Sequence, residues 1–426
     1  MTAIWHPFTQ HALMPEQVFI DRAEGAYLYD GSGRRIIDAI SSWWVNIHGH
    51  NHPKIVAAVQ QQAARLDQII FAGFTHEPAE RLAAKLIALA QSAHMANLTR
   101  VFYSDSGSTS VEVALKMALG YWTHKGHPRK GIVALDHAYH GDTFGTMSVG
   151  GRSVFNAPYE PMLFDVHRLP FPEGRGQKTL DAFEDLLKTR GDDIAALIVE
   201  PLVLGAAGML MYDAAILKGL HELCRRYGVF FIADEVMTGW GRTGTRFACE
   251  QANISPDILC LSKGLTGGFL PLAVTLASEE IYDAFYSTDR SRTFFHSSSF
   301  TGNPMACAAA NAALDLWQEE PVAERIRAVH DHQATLLPRL AARDDVVNVR
   351  HLGTIAAFDV RSTDQGYLSA VAPKLYRYFL QQGVLLRPLG ETIYMLPPYC
   401  VTNEDLDEIV ATIERALDAL RDGRLE

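Results

Sequence analysis

The sequence predicts an α/β protein whose larger domain is built on a mostly parallel β-sheet. Along the middle of the chain, short runs of β-branched and aromatic residues alternate with longer amphipathic stretches. The strand candidates are almost continuously hydrophobic, a pattern typical of strands that helices cover on both faces. The C-terminal part of the chain has a different pattern and predicts a second, smaller α+β domain.

The elements of the predicted sheet follow one another closely. The strand candidates are Arg100–Tyr103, Ile132–Leu135, Ala196–Val199, Val229–Ala233, Ile258–Leu261 and Ala273–Leu276. Amphipathic helices are predicted between several of them, such as Thr109–Thr123 and Ala214–Tyr227. Strands that alternate with helices of this length predict parallel strand pairing.

The smaller domain is predicted from a mixed series of elements. Helices are expected around Val322–Ala342 and Leu368–Gln382, and strands at Val346–Leu352, Ile355–Val360 and Ile393–Leu396. A final helix, Asn403–Arg421, follows Thr402, a residue type that caps helix N-termini. We expect residues 1–50 to contribute to the small domain and the active site, residues 51–310 to form the large domain and residues 311–426 the C-terminal small domain.

Composition and charge limit the class of protein. The 426 residues carry a formal net charge of −11 and no basic run, which argues against nucleic acid or anionic membrane as the main partner. The N-terminus lacks the features of a secretory signal. The cysteines have no CxxC spacing, which predicts reduced thiols, no metal site and a cytoplasmic protein; they are Cys224, Cys249, Cys260, Cys307 and Cys400.

The strongest chemical signal is an acid and a lysine at the ends of two predicted strands. Asp234 ends the strand Val229–Ala233, and Lys263 follows the strand Ile258–Leu261. Side chains at the carboxyl ends of such strands line the ligand crevice of an open α/β sheet. Pyridoxal phosphate (PLP) chemistry needs this pair, a lysine for the Schiff base and an acid for the pyridine nitrogen. Either residue alone is more often a helix cap or an exposed turn.

Three other segments supply candidate cofactor ligands. The run from Ser106 to Thr109 opens a helix after a strand, which suits a phosphate group but is equally typical of a plain capping sequence. A second hydroxyl cluster, Ser297–Ser299, offers a further phosphate ligand. Tyr139 follows the strand Ile132–Leu135, where an aromatic ring could stack on a planar cofactor.

Taken together, these motifs resemble the class III aminotransferases. The resemblance rests on Asp234-Glu235-Val236-x-Thr238-Gly239-x-Gly241-Arg242-Thr243-Gly244, followed by Pro256-Asp257-Ile258 and Ser262-Lys263-Gly264. Further motifs are most similar to the branch of that family that forms 7,8-diaminononanoate from 8-amino-7-oxononanoate in biotin synthesis; they are Trp5-His6-Pro7-Phe8-Thr9, Ser41-Ser42-Trp43-Trp44, His48-Gly49-His50-Asn51-His52-Pro53, Arg387-Pro388-Leu389-Gly390 and Tyr394-Met395-Leu396-Pro397-Pro398-Tyr399. The resemblance implies a fold type I PLP enzyme with a seven-stranded sheet, working as a homodimer with shared active sites.

The resemblance also implies a role for each matching residue. The catalytic residues would be Lys263 as the Schiff-base lysine, Asp234 as the partner of the pyridine nitrogen and Tyr139 as the stacking ring. The phosphate ligands would be Gly107 and Ser108, with Ser298 and Ser299 from the other subunit. The substrate site would be lined by Trp43, Tyr139, Lys263, Ser297, Arg387, Arg242, Tyr394 and Phe8, with Asp142 behind them. Arg387 would bind a carboxylate, because its fork donates two parallel hydrogen bonds.

Two departures from the family pattern bear on the amino donor. Members that use S-adenosylmethionine commonly carry Tyr where this chain has Phe8, and Gly-Pro-Thr where it has Ser297–Ser299. Relatives that use lysine show a Pro-Phe-Thr-Gln run like that of residues 7–10. The paired Trp43-Trp44 and the hydroxyl of Tyr394 are more similar to the S-adenosylmethionine users, which is the donor we predict.

Other functions share the same motifs. The nearest is a class III aminotransferase for another ω-amino acid or diamine, and a PLP-dependent decarboxylase or aminomutase is a further one. A non-catalytic PLP-binding regulator is disfavoured, because no basic DNA-binding segment precedes the fold and both Lys263 and Asp234 are present.

Overall fold

The computed structural model describes residues 2–14, 16–362 and 366–425. Its strands, in chain order, are β1 (Ile20–Glu24), β2 (Tyr27–Asp30), β3 (Arg35–Asp38), β4 (Leu98–Ser104), β5 (Gly131–Leu135), β6 (His167–Leu169), β7 (Ile194–Val199), β8 (Val203–Leu204), β9 (Leu210–Met211), β10 (Phe230–Asp234), β11 (Ile258–Leu261), β12 (Ala273–Ser278), β13 (Val346–Leu352), β14 (Ile355–Val360), β15 (Val384–Leu385) and β16 (Thr392–Met395).

The helices alternate with these strands in the large domain and cover the small sheets at the C-terminus. In chain order they are α1 (Ser41–Trp44), α2 (Pro53–Ala63), α3 (Glu77–Ser92), α4 (Gly107–His124), α5 (Phe144–Val149), α6 (Gln177–Arg190), α7 (Ala214–Tyr227), α8 (Cys249–Ala252), α9 (Glu279–Phe285), α10 (Pro304–Glu319), α11 (Val322–Ala341), α12 (Val371–Gln381) and α13 (Asn403–Arg421).

The large domain is an α/β unit around a seven-stranded sheet, which confirms the predicted fold class. The strand order is β4-β12-β11-β10-β7-β5-β6. Only β12 runs against its neighbours on both sides; the other paired strands are parallel. The carboxyl ends of β4, β5, β7, β10 and β11 therefore meet at one edge of the sheet, where an α/β protein binds its ligand.

The predicted strands of this sheet appear with small shifts at their ends. The exception is β6, a three-residue strand that was not predicted and that pairs with β5 at the sheet edge. So short a strand, followed directly by Pro170, carries no readable alternation of its own. The sequence pattern also did not predict the reversed direction of β12, because that direction depends on how its connections cross the sheet.

The small domain contains two sheets and confirms most of the predicted elements. The strands β13, β14 and β16 form one sheet, and β15 joins the N-terminal strands in the order β1-β2-β3-β15. The final helix begins at Asn403. The Thr402 side chain accepts a hydrogen bond from the Asp405 amide, and the Asp405 carboxylate accepts one from the Thr402 amide. Because β3 pairs with β15, the N-terminal segment and the C-terminal residues share one sheet. The predicted boundary at residue 310 falls inside α10, and the domain limits stay a prediction.

Among the described residues, no helix combines the length and the apolar character that a bilayer crossing requires. All the cysteines are free thiols, and only Cys400 is not fully buried.

Candidate active site

Asp234 and Lys263 lie at the carboxyl ends of two adjacent parallel strands. Asp234 ends β10 opposite Cys260 of β11, and Lys263 lies three residues after that cysteine, just beyond the end of β11. The Lys263 Nζ lies 4.5 Å from the centre of the Trp44 indole ring. Lys263 has a φ of 47°, in the left-handed region that few non-glycine residues adopt.

Burial prepares the lysine for chemistry near neutral pH. It lowers the pKa of Lys263 from 10.5 to about 8, against the opposing charges of Asp234 and Glu200. The charge of Arg242 lowers the pKa further. An amine with a pKa in this range is partly deprotonated near pH 7 to 8, as a nucleophilic lysine must be.

The Asp234 carboxylate is held by two hydrogen bonds. Its Oδ2 lies 2.7 Å from Nδ1 of His140, and its Oδ1 accepts from the amide of Val236 at 3.1 Å. Asp234 is 4% exposed, and Nε2 of His140 is buried without a hydrogen-bond partner in the structure. A buried carboxylate fixed in this way is suited to pair with a protonated ring nitrogen.

Glu200 is a third acid at this edge of the sheet. It follows β7, and its carboxylate accepts from the amides of Tyr139 at 2.9 Å and Gly205 at 3.1 Å. Burial raises the pKa of Glu200 to about 7. Neither Glu200 nor the role of His140 was predicted, although Glu200 directly follows a predicted strand and that position was a usable signal.

Tyr139 lies on the wall of a cleft that opens between the two domains. The cleft has a volume of about 250 Å³, and Asp142, Phe155 and Tyr367 also line it. Burial and the nearby carboxylate of Asp142 raise the pKa of the Tyr139 hydroxyl, so the ring is neutral at physiological pH. The predicted stacking residue thus stands beside the Asp234–His140 pair, at the entrance to a ligand-sized space.

The helix opening after β4 is both a cap and a candidate anion site. Ser106 and Thr109 form a capping box, so their side chains are used within the helix end. The backbone amides of Gly107 and Ser108 lie in the first helical turn, which has no intrahelical acceptors. A Cβ on Gly107 would lie 2.6 Å from the Val236 side chain, so glycine is required where α4 meets the chain after Asp234.

Three predicted substrate-site residues come together at the entrance. Arg387 Nη2 donates to the Phe8 carbonyl at 2.9 Å, and its guanidinium lies 5.3 Å from the Trp43 ring centre. The rings of Phe8 and Trp43 are 5.5 Å apart. The aromatic wall continues from Phe8 to Phe155 at 5.8 Å and from Phe155 to Tyr367 at 4.5 Å.

Arg242 and Tyr394 are both buried. The Tyr394 hydroxyl accepts from the indole N–H of Trp44 at 3.0 Å. The guanidinium of Arg242 donates to the carbonyls of Pro397, Asn46 and Trp44. These bonds use Nη1 and Nη2, whereas Nε has no hydrogen-bond partner among the described residues, and the expected place of Arg242 in the substrate pocket stays a prediction.

The serine cluster makes its hydrogen bonds within its own loop and with Gln68. Ser298 N donates to the Thr301 hydroxyl at 2.9 Å, and the Ser299 carbonyl accepts from Gln68 at 2.8 Å. Large apolar side chains are exposed on the same two segments of chain; they are Ile70, Phe74, Phe295 and Phe300. The predicted contribution of Ser298 and Ser299 to the partner subunit's phosphate site, and of Ser297 to a substrate site, stays a prediction.

Comparison with known proteins identifies the family. The profile of the family described as aminotransferase class III matches residues 9–417. A Synechococcus elongatus protein named adenosylmethionine-8-amino-7-oxononanoate aminotransferase is 49% identical over 424 residues, which cover 98% of this chain and 99% of that protein. A protein of the same name from Nitratidesulfovibrio vulgaris is 42% identical over 98% of this chain and 80% of its own length.

Solved structures agree with the sequence comparison. The adenosylmethionine-8-amino-7-oxononanoate aminotransferase of Methanocaldococcus jannaschii superimposes with a TM-score of 0.93 at 33% identity, over 98% of this chain and 97% of that one. A PLP-bound amine transaminase from an uncultivated Pseudomonas species has a TM-score of 0.90 at 32% identity, over 98% and 99%. The chain belongs to the class III aminotransferase family, and its cofactor is PLP.

Proposed function

We propose that this chain transfers an amino group from S-adenosylmethionine to 8-amino-7-oxononanoate, forming 7,8-diaminononanoate in biotin biosynthesis. The observation that carries the proposal is the convergence of Lys263, Asp234 and the aromatic wall at one sheet edge. The names of the relatives that match over the full length support the same choice of substrates.

The cofactor fits the residues that surround its expected place. Asp234 would hold a proton at the ring nitrogen, and the Tyr139 ring would cover one face of the cofactor. The amides of Gly107 and Ser108, at the positive end of the α4 dipole, suit a phosphate dianion. When bound, PLP supplies an electron sink next to the carbon that carries the amino group.

Lys263 has two tasks in this arrangement. Its Nζ would hold the cofactor covalently, and once released it would move a proton between the two carbon atoms that exchange the amino group. The lowered pKa lets the amine accept that proton near neutral pH. Trp44 covers the amine on one side and limits the access of water to it.

The cleft suits an extended, mostly apolar substrate with one carboxylate. The wall of Trp43, Phe8, Phe155 and Tyr367 offers apolar surface along which a methylene chain can lie. Arg387 is only partly buried and lies against the Trp43 face. We expect it to bind the acceptor carboxylate at the far end of the chain of methylenes.

The amino donor has a second candidate. Lysine would serve the same reaction, and the observation that favours it is Phe8, which lacks the hydroxyl common in S-adenosylmethionine users. A missing hydroxyl in a substrate pocket can change the preference between donors strongly.

A homodimer is part of the proposed function. The exposed apolar side chains beside Ser297–Ser299 are what a subunit interface would bury. In a dimer, Ser298 and Ser299 would approach the phosphate of the partner's cofactor, and Ser297 the partner's substrate.

A donor comparison tests the proposal directly. Purified enzyme with PLP is supplied with 8-amino-7-oxononanoate and either S-adenosylmethionine or lysine, and 7,8-diaminononanoate is quantified. We expect product with S-adenosylmethionine, and loss of the visible cofactor absorbance when that donor is added alone. If product forms with lysine but not with S-adenosylmethionine, lysine is the amino donor. Amino transfer from ω-amino acids without formation of 7,8-diaminononanoate would contradict the proposal.

A further inference from the structure

Arg242 ties three segments of the chain together from inside the protein. It is 1% exposed, and it lies in the loop that follows β10. Its Nη1 donates to the Pro397 carbonyl at 2.8 Å, and its Nη2 donates to the carbonyls of Asn46 at 3.1 Å and Trp44 at 3.4 Å. These acceptors belong to the N-terminal segment and to the small domain, so the guanidinium bridges parts of the chain that are far apart in sequence.

The N-terminal segment that Arg242 holds has an unusual backbone. Ser41, Ser42 and Trp44 have φ angles of 53°, 60° and 66°. Non-glycine residues adopt this left-handed region only when the surrounding structure compensates for the strain. The bonds from Arg242 to Trp44 and Asn46 supply part of that compensation.

The strained segment places one functional side chain. The Trp44 indole donates its N–H to the Tyr394 hydroxyl at 3.0 Å, and its ring centre lies 4.5 Å from the Lys263 Nζ. Arg242 therefore restrains the backbone of the residue whose ring covers the reactive amine.

We propose that Arg242 is a positioning residue of the transamination site, which holds the Trp44 indole against the Lys263 amine by binding the carbonyls of Trp44, Asn46 and Pro397. The inference rests on the proposed function in one respect, namely that Lys263 is the amine that binds PLP. It assigns Arg242 a role besides the predicted contact with substrate, because Nη1 and Nη2 of its guanidinium donate to backbone carbonyls.

Arg242 also affects the Lys263 amine through its positive charge. Asp234 and Glu200 raise the pKa of Lys263, and Arg242 lowers it. A lysine in place of Arg242 keeps the positive charge but loses the planar fork that reaches several carbonyls at once. The Arg242→Lys variant therefore tests positioning separately from charge.

The test is a double-mutant cycle on cofactor uptake, which needs no amino substrate. Full-length apoenzymes of wild type, Arg242→Lys, Trp44→Phe and the double variant are mixed with PLP, and chromophore formation is followed by visible absorbance across pH. If Arg242 acts through Trp44, the double variant is no slower than Trp44→Phe alone. If the rate losses of the two single variants multiply in the double variant, the proposal is overturned, because the free-energy effects of independent sites add.

Turnover supplies a second readout, and a neighbouring arginine supplies the control. We expect Arg242→Lys to lower kcat roughly tenfold or more, as a misplaced catalytic group does, with the KM of both substrates little changed. A rise in KM at constant kcat would instead make Arg242 a substrate ligand. Arg246→Lys is the matched control, because Arg246 lies in the same loop with its guanidinium 5.1 Å from the Trp317 ring; it should keep wild-type uptake.

The proposal can still be tested if Arg242→Lys does not fold or if the substrate assignment is wrong. Should Arg242→Lys fail to fold, Trp44→Phe alone decides, because normal cofactor uptake and kcat in that variant would overturn the proposal. If wild type binds PLP but transfers amines to another acceptor, the proposed function fails while the cycle on cofactor uptake still applies.

Discussion

The carboxylate of Glu200 accepts a hydrogen bond from the backbone amide of Tyr139, 2.9 Å away. Through this bond an acid at the end of β7 fixes the loop after β5, and with it the aromatic ring expected to cover the cofactor. The loop is also joined to Asp234, because His140 lies directly after Tyr139 and contacts that carboxylate. Tyr139 and Asp234 are thus positioned by one connected group that includes the buried side chains of Glu200 and His140.

Glu200 is expected to make stability depend on pH. Burial raises its pKa from 4.5 to about 7, so the folded protein retains a proton that the unfolded chain releases in that window. The free energy of unfolding should therefore fall by up to about 3 kcal/mol from pH 4.5 to 7 because of this group. Urea unfolding of wild type and Glu200→Gln at both pH values measures it; equal slopes in the two proteins would contradict the assignment.

Lys263 is expected to destabilise the apoenzyme at neutral pH. Its pKa is lowered from 10.5 to about 8, so the unfolded chain binds the extra proton between these values. The penalty is complete below pH 8 and disappears as the pH rises to 10.5. Lys263→Met apoprotein should be more stable than wild type at pH 7 by up to about 3 kcal/mol, with a smaller difference at pH 10.

The measurement is denaturant unfolding of the apo forms, and the control is an exposed lysine. Lys218 lies on α7 with its side chain about half exposed. Lys218→Met should show no such pH-dependent gain. A Lys263→Met protein no more stable than wild type at pH 7 would mean that the amine is not desolvated.

Asp234 is expected to be needed for its charge. Asp234→Asn keeps the shape but cannot hold a proton at the ring nitrogen, so kcat should fall roughly a hundredfold or more. Asp257→Asn is the matched control, since Asp257 is a mostly buried acid at the opposite end of β11 that accepts from the Phe231 amide at 2.8 Å. That variant should lose stability while keeping kcat, and similar kcat losses in both would contradict the role of Asp234.

Phe8 is expected to influence the choice of donor. Phe8→Tyr adds a hydroxyl beside Trp43, and we expect it to raise kcat/KM for S-adenosylmethionine relative to lysine by roughly tenfold. Phe155→Tyr adds a hydroxyl to the next ring of the same wall, 5.8 Å away, and serves as control. An unchanged ratio in Phe8→Tyr would show that this position does not decide the donor.

Ser298 and Ser299 are expected to act in the partner subunit. Lys263→Ala and the double variant Ser298→Ala/Ser299→Ala should each bind PLP weakly or be inactive. A mixed dimer of the two, isolated with different affinity tags, would contain one site with Lys263 and both serines intact. Activity near half that of wild type per dimer is therefore expected; an inactive mixed dimer, with either parent folded, would mean that the serines serve their own subunit.

Local sequence patterns were sufficient for much of the fold. The predicted helix Ala214–Tyr227 and the strand Ile258–Leu261 have the bounds that the structure shows, because each is a continuous periodic run with clear ends. The acid and the lysine at two strand ends were predicted to face one site, and β10 and β11 are indeed adjacent and parallel. Periodicity and end signals depend on neighbouring residues only, which is why they can be read from the chain.

The partners of the site residues depended on the tertiary structure. Glu200 joins Tyr139 across 61 positions of sequence, and Arg242 reaches Pro397 across 155. A residue type alone cannot distinguish an arginine that binds substrate from one that binds backbone carbonyls, since the same N–H groups serve both. The sequence by itself therefore determined the fold class and the chemistry, whereas the packing of distant segments decided which side chains hold the reactive ones in place.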